Sequence, residues 1–140
     1  MSTAQQNFAA ENLEVSAPLS PSQAINQGDI VKVSSNLIVP ISGATDVPHG
    51  VAGGTNPVSS IGDTLSSMIV YRKGLFYFFL KASDTANYDD ALYLTAAPQT
   101  LTTSSAGSAV KVARCRELAA VTGAASDVTR ILVEIDLDSI

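Results

Sequence analysis

Read for the alternation of apolar and polar positions, the chain from residue 25 onward is a series of short β-strands. The clearest is Arg130 to Leu137: Ile131, Val133, Ile135 and Leu137 fall on one side, Glu134 and Asp136 on the other. Ala91 to Thr95 sets Leu92 and Leu94 against Tyr93, and Ala109 to Arg116 places Val110 and Val112 together. Ile30 to Val33 follows a turn at Gly28-Asp29. Leu37 to Ile41 is limited by Pro40, which has no amide hydrogen to give to a ladder. Gly50-Val51-Ala52 in the loop Gly43 to Pro57, then Thr64 to Tyr71, Leu75 to Lys81 and Leu101 to Thr103, complete the set. Gly, Pro, Asn and Asp separate these segments, and none carries a helical period. The expectation is an all-β fold: a compact barrel or sandwich of short, mostly antiparallel strands.

Residues 1–24 read differently. They are rich in Ala, Gln, Asn and Ser, and Pro18 and Pro21 impose an extended path near the end. Phe8, Leu13, Val15 and Leu19 are the sizeable apolar side chains. A short helix over Ala4 to Leu13, capped by Ser2 or Thr3, fits the pattern. The division expected is an N-terminal arm, or a tail without fixed structure, over 1–24 and a β domain over 25–140.

Gly74 to Lys81, GLFYFFLK, stands apart, because every residue from Leu75 to Leu80 is large and apolar or aromatic. In a strand, Phe76, Phe78 and Leu80 share one face and Leu75, Tyr77, Phe79 and Lys81 the other. A two-residue turn at Lys73-Gly74 pairs Tyr71 with Phe76 and Ile69 with Phe78. It also sets Val70 beside Tyr77 and Met68 beside Phe79. One face fills the barrel. The other is too apolar for water, since each buried Phe contributes roughly 1.5–3 kcal/mol, and bare it is an aggregation hazard. Leu75, Tyr77, Phe79, Met68 and Val70 therefore form a candidate subunit interface, covered by another subunit or by an arm. The competing expectation is cover from within the chain by the Gly43–Pro57 loop.

Composition supports a protein that works by contact. Charged residues make up 15% of the chain, against a usual value of about 25%, which leaves much neutral surface to meet another subunit. The net charge is −5 and no basic stripe is visible, so nucleic acid is not an expected partner. Nor is a membrane. The N-terminus lacks the basic start and apolar run of a signal peptide. Met68 to Leu80, interrupted by Arg72-Lys73-Gly74, falls short of the roughly 18 apolar residues of a spanning helix.

Candidate chemistry is sparse. A single cysteine, Cys115, forms no intrachain disulfide and no multi-cysteine metal site, and folding in a reducing cytoplasm is the simpler reading. Although it sits between Arg114 and Arg116, a small strand residue is the preferred reading. His49 is the sole histidine, in a turn-like VPHGVAGG with no G-x-S-x-G nearby. GVAGG lacks the Lys-Ser/Thr of a phosphate loop. Asp84, Asp89 and Asp90, and the pair Asp136 and Asp138, read as turn formers or a solvated edge, without the spacing of a calcium loop. No enzyme, cofactor or metal is expected.

The order of segments resembles the small capsid decoration, or cement, proteins of tailed bacteriophages. Gly28-Asp29-Ile30-Val31-Lys32-Val33 matches that family's turn and first strand, and Gly50-Val51-Ala52 the element after its loop. Gly74 to Lys81 is similar to its Gly-Val-Phe-x-Leu strand. Asp89-Asp90-Ala91-Leu92-Tyr93, Leu101-Thr102-Thr103, Val112-Ala113 and Ile131 to Leu137 follow in family order, with Asp89 and Lys111 standing where the family carries Gly. The resemblance spans 27–137. It implies a β-tulip-like barrel with no catalytic residues, on the outer surface of an expanded capsid, made in the host cytoplasm. The implied partners are the major capsid protein and further copies of the chain, as a homotrimer or in some cases a dimer. Phe8, Leu13, Val15 and Leu19 become a candidate capsid-binding arm. The runner-up is a non-enzymatic β-sandwich module recognising a host receptor or glycan, with Tyr71, Tyr77, Tyr88 and Tyr93 as its platform. A secreted or tail-tube structural protein comes third.

Overall fold

A computed structural model describes residues 13–15, 24–55 and 69–137. They form an all-β fold built on two sheets. Five strands close into a barrel in the order β10-β12-β6-β9-β8. These are β6 (Lys73–Leu80), β8 (Ala91–Leu94), β9 (Thr100–Thr102), β10 (Lys111–Cys115) and β12 (Thr129–Asp136). All neighbours are antiparallel except β6 and β9, whose parallel contact at Phe79↔Thr100 and Leu80↔Leu101 closes the ring. The second sheet runs β1-β5-β4-β2-β3, with β1 (Leu13–Val15), β2 (Ile30–Ser34), β3 (Leu37–Pro40), β4 (Gly50–Ala52) and β5 (Ile69–Tyr71). A two-stranded ribbon joins β7 (Thr85–Ala86) to β11 (Val121–Thr122).

Period-two alternation explains how the sheets share a core. In β12, Ile131, Val133 and Ile135 are buried; in β6, Phe78 and Leu80. They meet Leu92, Leu94, Leu101, Val112 and Cys115 inside the barrel. On β2, Ile30 turns toward this core, while the adjacent Val31 enters a smaller one with Ile25, Ile38, Ala52 and Val70. Both faces of the second sheet are thus buried near its middle. Asp29, almost fully buried, ties the sheet to the barrel: it accepts from the Asn26 amide at 2.9 Å and from Gln99 Nε2 at 2.8 Å. The Ile30 amide donates to the Pro98 carbonyl beside them.

The expected hairpin at Lys73-Gly74 does not form. Tyr71 pairs with Leu13 and Val51 in the second sheet, and β6 pairs with β12 through eight consecutive positions, from Thr129↔Leu80 to Asp136↔Lys73. The reason is ladder length. A three-residue β5 offers little against a full-length antiparallel partner. Gly74 lies inside β6 at φ +139, a conformation that L side chains rarely adopt, and there the chain leaves one sheet and enters the other. The Tyr71 and Phe76 rings still meet at 6.1 Å, as neighbours rather than cross-strand partners.

Leu13–Val15 is a strand on the outer edge of β5, so Leu13 does not end a helix. Phe8, Leu19, Met68, Thr64 to Met68 as a strand, and the rest of the expected helix lie outside the described residues.

After β3, the loop Ser42–Asp46 is held by one carboxylate. Asp46 Oδ2 accepts from the Ser42 amide at 2.8 Å, the Gly43 amide at 3.1 Å and Lys32 Nζ at 3.0 Å. The Ser42 amide, then Lys32, holds the Asp46 carboxyl below its ordinary range. A pKa lowered by folding contributes stability that is complete above the unfolded value, about 3.9, and lost as pH falls through the folded one. Asp46→Asn is expected to destabilise the protein by about 1–2 kcal/mol at neutral pH. Urea denaturation should show the gap from wild type closing below about pH 4; an equal gap at both pH values contradicts the assignment.

Candidate functional surface

The strand faces of β6 follow the predicted alternation. Phe78 and Leu80 are interior, whereas Leu75 is 62% and Tyr77 63% exposed. The described part of the loop expected to cover them, residues 43–55, therefore leaves them open. Val70 is not part of this face. It belongs to β5, not to a hairpin with β6, and is wholly buried in the smaller core. Ile69, the outward residue beside it, is exposed instead.

Cross-strand pairing with β12 builds the outer face row by row: Phe79 beside Arg130, Tyr77 beside Leu132, Leu75 beside Glu134. The Arg130 guanidinium lies 5.6 Å from the Phe79 ring centroid and shields part of it. Leu75 and Leu132 continue into a groove of about 740 Å³ whose far wall is Tyr88 and Leu118. Leu118 is 91% exposed. Its exposure was not legible from local pattern, because it lies in an irregular stretch after β10 where no alternation marks inside from outside.

A charged frame fixes the groove wall. Arg116 Nε donates to Glu134 Oε1 at 2.8 Å and Nη1 to Asp89 Oδ1 at 2.6 Å, and its guanidinium stacks 5.4 Å from the Tyr88 centroid. The Asp89 carboxylate, then Glu134, raises the Arg116 pKa further above its ordinary value, while Arg116 above all lowers that of Asp89. The network positions Tyr88 and makes one edge of an apolar groove polar, as at the rim of a protein–protein contact.

Three of the carboxylates considered for metal binding make hydrogen bonds within the fold. Asp84 accepts from the Thr102 hydroxyl and the Thr103 amide, Asp90 from the Asn87 amide, and Asp89 pairs with Arg116. Among the described residues no group of three His, Cys, Asp or Glu side chains is placed to hold a metal. Cys115 is buried inside the barrel, with Arg114 and Arg116 on the opposite face of its strand. The His49 amide donates to the Val31 carbonyl, and its own carbonyl accepts from Arg72. Among the described residues no helix is long and apolar enough to cross a membrane.

No family model matches the chain, and no curated protein does.

Proposed function

We propose that the protein is a structural component of a virus particle. It binds the outer surface of an expanded bacteriophage capsid and cements neighbouring capsomers against internal DNA pressure, through the major capsid protein and further copies of itself, a trimer in the first instance. The observation that carries this reading is the apolar outer face of β6, where Leu75 and Tyr77 stand more than half exposed on a closed barrel. A closed barrel has no strand edge to offer there. Contact across this face is therefore made by side chains, which suits a plug fitted between shell subunits. The low charge of the chain and the order of its segments support the same reading. Repeated weak contacts around an oligomer give tight binding by avidity.

The test is to mix the purified protein with undecorated expanded capsids and sediment them. Co-sedimentation at a fixed number of copies per capsid is expected; no binding to any shell contradicts the proposal. Tyr77 and Tyr88, both more than half exposed, favour a second reading as a glycan-binding module, whereas Tyr71 and Tyr93 are partly buried. A glycan screen with wild-type protein addresses it, and binding lost on Tyr88→Ala is its expected signature.

A further inference from the structure

The outer face of β6 and β12 is laid out so that it complements a second copy of itself. Its rows run Phe79 beside Arg130, Tyr77 beside Leu132, and Leu75 beside Glu134. A cation therefore stands at one end of the apolar strip and an anion at the other. Arg130 is exposed, and its guanidinium rests on the Phe79 ring. Among the described residues no carboxylate lies within ion-pair distance of it. Glu134 is the reverse case. Arg116 Nε and Nη2 both approach its Oε1, each at 2.8 Å, and its side chain is 45% exposed. That leaves Oε2 for a further donor.

We infer that two copies of the free protein pair across this face, about a two-fold axis that crosses the strands at the row of Tyr77 and Leu132. Such an axis maps the middle row onto itself and exchanges the other two. Each Arg130 then faces the partner's Glu134, and each Leu75 the partner's Phe79. One row further out, Lys81 faces the partner's Lys73, whose neighbour Asp136 offsets the like charge. An axis along the strands instead lays Glu134 over the partner's Leu75, and neither charge is paired across the contact. The apolar side chains supply the attraction, and the charges set the register. Outward rows are about 7 Å apart, so the strip is short. The contact belongs with weak, transient interfaces, under about 1,200 Å². A weak pair caps the apolar face while the protein is free and releases it to another partner. The inference rests on the reading of this face as a contact surface, and not on the capsid as its final partner.

Sedimentation equilibrium of the full-length chain, without capsids, tests it. Wild type is expected to pass from monomer to dimer as concentration rises. Arg130→Glu and Glu134→Lys, each alone, bring like charges together twice per pair and should weaken the dimer at least about tenfold. Mixed in equal amounts, the two variants should recover it. The new glutamate of one chain meets the new lysine of the other, and the remaining Arg130 and Glu134 meet as before. Circular dichroism checks each fold. Should Glu134→Lys disturb the Arg116 frame, Arg130→Glu decides alone, because Arg130 has no ion pair among the described residues to lose. A wild type that stays monomeric, a dimer indifferent to Arg130→Glu, or folded variants that do not recover on mixing overturn the inference. A trimer with no dimer overturns it too. Capsid sedimentation is a separate readout. A monomer that decorates capsids overturns the pairing and leaves the proposed function, whereas a dimer that decorates none upholds the pairing and removes that function.

Discussion

Phe78→Ala is expected to destabilise the protein by about 3–5 kcal/mol, a large share of the roughly 5–15 kcal/mol that holds a domain of this kind folded. Phe78 is 2% exposed, opposite Ile131 across the longest ladder of the barrel, with the Phe76 ring edge-on at 6.4 Å. Truncation removes a ring from a core built by five strands, and a closed ring of strands cannot collapse around the hole. Thermal unfolding should drop by roughly 10–20 °C. The adjacent Phe79→Ala is the comparison. Its ring is partly exposed beneath Arg130, and its loss should cost only about 1 kcal/mol. Equal costs would show that the faces of β6 are assigned wrongly.

Gly123→Ala should cost about 1–3 kcal/mol or somewhat more, from the addition of a single methyl group. A Cβ at this position would lie 2.2 Å from the Lys81 carbonyl oxygen and 2.9 Å from that of Leu80. Both obstacles are backbone at the end of β6, and neither can rotate away. Gly123 is also pinned in place: its amide donates to the Asp84 carbonyl at 2.8 Å and its carbonyl accepts from the Ser83 amide at 3.0 Å. The added methyl must separate the ribbon of β7 and β11 from the barrel. Gly54→Ala meets nothing within 4 Å and should change stability by less than about 0.5 kcal/mol. Chemical denaturation of the two variants side by side decides the matter. A Gly123→Ala protein as stable as Gly54→Ala contradicts this close approach.

Where the fold was legible in the sequence, a local pattern carried the information. Alternation over four or more residues marked β8 and β12 and told their inner faces from their outer ones, as the burial of Leu92, Leu94, Ile131, Val133 and Ile135 shows. β6, apolar on both faces, was marked by its run of large side chains, and in β10 a register shift breaks the alternation, so that Val112, Ala113 and Cys115 are all buried. The Gly28-Asp29 turn and the short β4 were equally local. What depended on distant partners was not legible. The Lys73-Gly74 hairpin looked sound from neighbouring residues alone, but β12, more than fifty positions later, supplies the longer ladder. β7 and β11 are two residues each, too short for any period. β1 exists because β5 offers an open edge, which its own three residues do not announce. The same division runs through the candidate surface. Leu75, Tyr77 and Phe79 were placed together by strand geometry, whereas Val70 was misplaced with the hairpin, and Leu118 and the Arg116 frame emerged only from tertiary packing.

Under the proposed function, the outer face of β6 is the surface by which this protein attaches to a capsid. Sedimentation with expanded capsids, comparing wild type with the double variant Leu75→Asp/Tyr77→Asp, tests it most directly. Both side chains point to solvent, so circular dichroism and the thermal transition should be close to those of wild type. Occupancy of the capsid should fall at least about a hundredfold in apparent affinity, two contacts each contributing about a factor of ten. A folded double variant that still decorates capsids as tightly as wild type would contradict the account.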